Sequence, residues 1–141
     1  MVTLLIGKKG SGKTKRLIEE ANAAVKSSNG NVVVVEKGAK LTYDLTYKAR
    51  LVDTEAFDIK GFDALYGFIS GMCAGNYDIT DIFVDSTFKI AAEEKDDAKK
   101  FSTFVEKLDK LANEANIAVT LLISAAKEDL PTELKATLEE L

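Results

Sequence analysis

The chain has 141 residues, 46% of them hydrophobic and 30% charged, with a net charge of −4, a single cysteine and no histidine. That length suits one domain with one core burying roughly 70% of the unfolded surface, and the composition excludes the disordered, collagen-like and disulfide-stapled classes. The negative balance gives no general attraction for nucleic acid or an anionic membrane, so neither is the expected partner.

Apolar runs stop short of a membrane span; the best, "IAVTLLISAA" at 117–126, is too short. At the start of the chain the apolar "VTLLI" comes before the lysines, the wrong order for a secretory signal, so the expected location is the cytoplasm. Cys73, close to Ile69 and Met72, reads as a packed helix residue in a reducing compartment.

Short β-rich runs alternate with longer segments of helical period, which predicts an α/β fold. The expected architecture is a three-layer sandwich around a mainly parallel five-stranded sheet, with residues 1–141 as one domain. The first strand is "VTLLI" (2–6), and a helix follows from about Lys13 to Ser28. Its end falls in "SSNGN", where Gly30 or Asn29 can take a left-handed closing conformation. "VVVVE" (32–36) is a second strand, apolar throughout as a strand covered on both faces should be. In residues 37–49 the alternation of Leu41, Tyr43, Leu45 and Tyr47 predicts an extended edge strand or hairpin arm. Its tyrosines are partly buried strand residues or surfaces for stacking on a base, and Lys37, Lys40, Lys48 and Arg50 form a patch nearby.

"RLVD" (50–53) is a third strand, and a second helix runs from about Phe62 to Ala74. "DIFVD" (81–85) is a fourth strand, and the "EEKDDAKK" run at 93–100 is a solvated helix entry. The third helix, about Asp96 to Ala115, has the clearest period. Its Phe101, Phe104, Val105, Leu108, Leu111, Ala112 and Ala115 make a core-facing stripe. "AVTLLIS" (118–124) is the fifth strand, and after Pro131 "TELKATLEEL" reads as a short final helix.

Residues 7–14, "GKKGSGKT", fit G-x-x-x-x-G-K-[ST] through Gly7, Gly12, Lys13 and Thr14, between a strand and a helix. Glycines let the backbone curl until the amides from about Gly10 through Ser11 and Gly12 to Thr14 converge on a phosphate, and the helix that follows adds its positive end. Lys13 can then reach β- and γ-phosphates, and the Thr14 hydroxyl can take one Mg²⁺ coordination position. Lys8, Lys9, Lys15 and Arg16 crowd the loop, either as helix-surface residues or as attractors of polyphosphate. The implied ligand is a nucleoside triphosphate. Asp85, ending the "ITDIFVD" run, is the candidate partner for Mg²⁺; Asp53, ending "RLVD", is its rival but is better placed to cap "TEAF".

With these two motifs the chain resembles the P-loop NTPases over most of its length, and most closely a minimal RecA/KaiC-type ATPase core. "VVVVE" ending in Glu36, "VDS" rather than "VDE" at Asp85, and "TLLIS" ending in Ser124 carry the closer resemblance. It implies that Glu36 positions the attacking water and that Ser124 senses the γ-phosphate. It also favours ATP over GTP, and no Asn-Lys-x-Asp guanine-reading motif is visible. The chain departs from the family in having only two arginines, Arg16 and Arg50, so no arginine finger for a neighbouring subunit is evident.

The expected function is therefore ATP binding with slow Mg²⁺-dependent hydrolysis, through Lys13 and Glu36, with a protein partner or a second copy of the chain left open. Two alternatives remain: a small-molecule or nucleotide kinase, against which the shortage of arginines argues, and a non-catalytic module whose surface is ordered by nucleotide.

Overall fold

The computed structural model describes residues 1–141. Six strands form one sheet: β1 (Val2–Gly7), β2 (Asn31–Glu36), β3 (Arg50–Asp53), β4 (Ile79–Val84), β5 (Ala118–Ser124) and β6 (Thr137–Glu140). Their order is β3-β2-β4-β5-β1-β6, and every neighbouring pair is parallel. Four α-helices accompany them: α1 (Lys13–Ser27), α2 (Phe62–Gly75), α3 (Thr87–Ala91) and α4 (Ala98–Ala115). None is long and apolar enough to cross a membrane.

Side chains alternate across the sheet and so define two cores. Val2, Leu4 and Ile6 of β1, with Val33 and Val35 of β2, face a large cluster containing Phe62, Leu65 and Ile69 of α2 and Phe101, Phe104, Val105 and Leu108 of α4. Leu5 of β1, with Val32 and Val34 of β2, faces a smaller cluster with Leu17 and Ala21 of α1 and with Leu41, Leu45 and Ala49. These are the outer layers of an α/β/α sandwich. The apolar stripe of α4 packs as its spacing predicts from Phe101 to Ala112, while Ala115, in the last turn, is exposed; the helix opens on Asp97, whose carboxylate accepts the Lys100 amide at 3.0 Å.

The sheet has six strands rather than five, because the expected final helix is β6. The 132–141 segment is too short to hold a helix without strong packing, whereas pairing with Thr3–Ile6 satisfies the open edge of β1. The Leu141 amide continues the ladder, donating to the Ile6 carbonyl at 2.9 Å.

Residues 37–49 are not an edge strand but a string of turns. Leu41 and Leu45 are four residues apart, and the Leu45 amide donates to the Leu41 carbonyl at 3.2 Å, so both side chains reach the α1 side of the sheet. Tyr43 and Tyr47 are consequently 98% and 90% exposed, not half-buried strand residues. Asn22 of α1 pins this segment, donating to the Asp44 carbonyl at 3.2 Å and accepting the Thr46 amide at 2.9 Å.

α1 does not close on a left-handed residue at Asn29 or Gly30. Its capping residue, Ser28, is extended, and the Ser28 hydroxyl accepts the Gly30 amide at 2.9 Å. Gly30 matters for closeness instead, since a Cβ there would lie 2.0 Å from the Asp78 carbonyl oxygen.

Candidate functional site

Because the sheet is parallel, β1, β2, β4 and β5 all end on one edge, where open α/β sheets present their crevices. The glycine-lysine loop leaves β1 there and enters α1. Gly10 and Gly12 have φ of 84° and 93°, in the region that favours glycine. Gly7 meets a different limit: a Cβ would lie 2.5 Å from the Ser11 hydroxyl oxygen, so the loop closes tightly on itself.

Lys13 is only 8% exposed, and its ammonium turns back into this loop. Nζ donates to the carbonyls of Gly7 at 3.0 Å and Lys8 at 2.9 Å, and to the Ser11 hydroxyl at 3.4 Å. Burial pushes the Lys13 ammonium below its ordinary pKa, and the nearby Asp85 carboxylate partly opposes this.

Asp85 follows β4, which is not the neighbour of β1; β5 runs between them. The end of β5 therefore places Ser124 opposite Gly7 in register and between the loop and Asp85. The Thr14 hydroxyl bridges the gap, donating to Asp85 Oδ1 at 3.4 Å. Burial raises the Asp85 carboxyl above the usual range, opposed by hydrogen bonds from the Ser86 amide and Thr14 and by the charges of Lys89 and Lys13.

Ser86, directly after Asp85, has φ 54° and ψ 45°, and Ala92 has φ 56° and ψ −118°. Each non-glycine residue in such a region costs on the order of 1–3 kcal/mol, and such strain collects at functional sites. α3, which these two residues bracket, forms the wall of the cleft opposite the loop.

The cleft has a volume of about 1310 Å³ and brings together Lys9, Gly10, Gly12, Lys13, Thr14, Asp85 and Ser124 of the predicted site. Gly7, Lys8 and Ser11 lie behind it, lining a smaller hollow of about 330 Å³ beside β6. Lys15 is exposed on α1 and lines neither. Arg16 is turned away, bound to Glu20 at 2.8 Å and Glu139 at 3.0 Å. Asp53 is a capping residue, its Oδ1 accepting the amides of Gly38 at 2.7 Å and Glu55 at 2.9 Å.

Glu36 is 3% exposed at the end of β2 and does not line the cleft. Its Oε1 accepts the Leu41 amide at 3.2 Å. Burial raises its carboxyl above the usual range, the Leu41 bond opposes that, and the Asp85 charge adds to it, so the two carboxylates feel one another. Of the predicted basic patch only Lys37 reaches the cleft. Lys60, Lys89 and Lys95, which also line it, carry no sequence signal of their own, since they come from separate segments that only the fold assembles. No group of three or more acidic or cysteine side chains is arranged to hold a metal ion. Comparison with protein-family models and with curated proteins finds no match.

Proposed function

We propose that this chain is a nucleotide-binding protein of the P-loop type, most like a RecA/KaiC-type core, which binds ATP with Mg²⁺ and hydrolyses it slowly. The observation that carries the reading is the joint geometry of Lys13 and Thr14. The first residue of α1 points its ammonium into a ring of loop oxygens, and the second donates to Asp85 from a strand two places away in the sheet.

Each of these residues has a task in that reading. The amides of Gly10 to Thr14 and the start of α1 bind phosphate oxygens. Lys13 exchanges its loop carbonyls for β- and γ-phosphate oxygens, an exchange its burial favours, because a buried ammonium gains from an ionised partner. Thr14 and Asp85 would hold Mg²⁺: a hydroxyl and a carboxylate already in hydrogen-bond reach are oxygen donors of the type that ion takes beside phosphate and water. When bound, Mg²⁺ neutralises charge on the β- and γ-phosphates.

Ser124, between loop and Asp85, is placed to donate to the terminal phosphate. The resemblance assigns the attacking water to Glu36, which ends the strand next to β4 but lies buried beside the cleft with Oε1 held by the Leu41 amide, so this role requires nucleotide binding to uncover it. Slow turnover follows from the arginines: Arg16 is held by two glutamates, and Arg50 begins the edge strand β3. Neither lines the cleft.

Calorimetric titration with ATP and GTP, each with and without Mg²⁺, tests the reading. Binding of ATP that strengthens with Mg²⁺ is the expected result. A protein that takes up neither triphosphate would overturn it.

A further inference from the structure

Across the cleft from the glycine-lysine loop stands a second cationic surface that the triphosphate reading does not use. Lys60 precedes α2, Lys89 lies on α3, and Lys95 lies in the 3₁₀ turn after it; all three line the same cleft as Lys9 and Lys13. Their segments are joined. The Gly61 amide donates to the Ile90 carbonyl at 2.9 Å, and the Phe62 amide to Glu94 Oε1 at 2.7 Å. Gly61 makes the join close, with φ 92° and a Cβ position only 2.8 Å from Glu94 Oε1. Lys100 holds the other oxygen of Glu94 at 2.9 Å. The three lysines thus sit on one cross-linked wall rather than on independent loops.

Glu93 and Asp96 line the cleft from this same wall and Asp85 feels the charge of Lys89, yet none of these carboxylates holds Lys89 or Lys95 in an ion pair. Lys60 meets only Glu93, at 3.7 Å with both side chains well exposed. At about 1310 Å³ the cleft is also larger than the roughly 300–1,000 Å³ of a typical single-ligand site. Unpaired ammoniums on a fixed support suit the oxygens of a phosphate group, which several point charges can share.

We propose that Lys89 and Lys95, supported by Lys60, form a second anion site that holds a phosphate-bearing small molecule opposite the glycine-lysine loop. The inference deepens the nucleotide reading and rests on it for what occupies the loop, though the wall's own affinity for anions is independent of that reading. The competing role for these lysines, folding over the terminal phosphate of the nucleotide itself, predicts no second ligand.

Pyrophosphate is the probe, titrated calorimetrically into protein saturated with Mg²⁺ and the non-hydrolysable ATP analogue AMP-PNP. The expected result is one further equivalent of pyrophosphate, weakened about tenfold or more by K89A/K95A, with AMP-PNP affinity in that variant within about threefold of wild type. K13A should lose AMP-PNP yet still bind one pyrophosphate that depends on Lys89 and Lys95. If AMP-PNP fails to bind wild type while that pyrophosphate equivalent persists, the nucleotide reading fails and the second site stands. No pyrophosphate uptake by the AMP-PNP-saturated protein, or uptake undiminished in K89A/K95A, would overturn the second site.

Discussion

Replacing Lys13 by methionine keeps most of the side chain's length and removes its charge and three hydrogen bonds, to Gly7, Lys8 and Ser11. In the nucleotide-free protein two effects oppose one another. Hydrogen bonds from a charged donor are worth about 1.5–3 kcal/mol each, while the ammonium's desolvation takes much of that back. That desolvation comes from the burial of Lys13, only 8% exposed, which also pushes its pKa down. The net change in stability should therefore be about 1 kcal/mol, or roughly 4 °C in Tm for a domain of this size. The ligand response should change far more. Wild type at a nucleotide concentration of 100 Kd gains ~2.7 kcal/mol, roughly 10 °C. A variant weakened about 100-fold gains only ~0.4 kcal/mol at the same concentration, a shift of about 1–2 °C. Scanning calorimetry of both proteins with and without Mg·ATP reads the difference directly. Equal ligand-induced shifts in wild type and Lys13→Met would refute the placement of phosphate at this loop.

Asp85→Asn should remove most of the Mg²⁺ dependence of ATP binding, whereas Asp53→Ala should leave it intact and cost about 0.5–2 kcal/mol of stability as a lost cap; the reverse pattern in Mg²⁺ titrations means the wrong carboxylate was chosen. Glu36→Gln should slow single-turnover ATP hydrolysis by about 10²-fold while keeping affinity within a few-fold, against no effect of Glu93→Gln. The same variant carries a pH signature: the raised pKa of Glu36 gives the wild type a stability advantage that is full below the unfolded value of 4.5 and lost as pH rises through the folded value. Urea unfolding should therefore show Glu36→Gln gaining on wild type between pH 4 and pH 7, and a constant difference would contradict the burial argument. Phe62→Ala should destabilise by about 3–5 kcal/mol, since its ring lies 5.1 Å from that of Phe104 and 5.7 Å from that of Phe101 in the larger core; chemical denaturation checks it.

The elements legible in the sequence were those whose signal is local. β2 announces itself through four consecutive valines, and α4 through a stripe that α2 and the sheet then bury. β6 was not legible, because "TLEE" is a strand only by virtue of the open edge of β1 beside it. The alternation of Leu41, Tyr43, Leu45 and Tyr47 fits a two-residue and a four-residue repeat equally well, and Asn22 together with the α1-side core decides for the latter. In the site the loop motif was visible, since its residues are contiguous. The cationic wall was not, because Lys60, Lys89 and Lys95 are brought together by the Gly61–Ile90 and Phe62–Glu94 hydrogen bonds.

The most direct test of nucleotide binding at Lys13, Thr14 and Asp85 is a crystal structure of the protein grown with Mg²⁺ and AMP-PNP. The nucleotide assignment predicts the β-phosphate inside the Gly10–Thr14 amides, Lys13 Nζ moved from the Gly7 and Lys8 carbonyls onto phosphate oxygens, and Mg²⁺ beside the Thr14 hydroxyl and Asp85. Phosphates bound elsewhere in the cleft, with Lys13 still on its loop carbonyls, would contradict it.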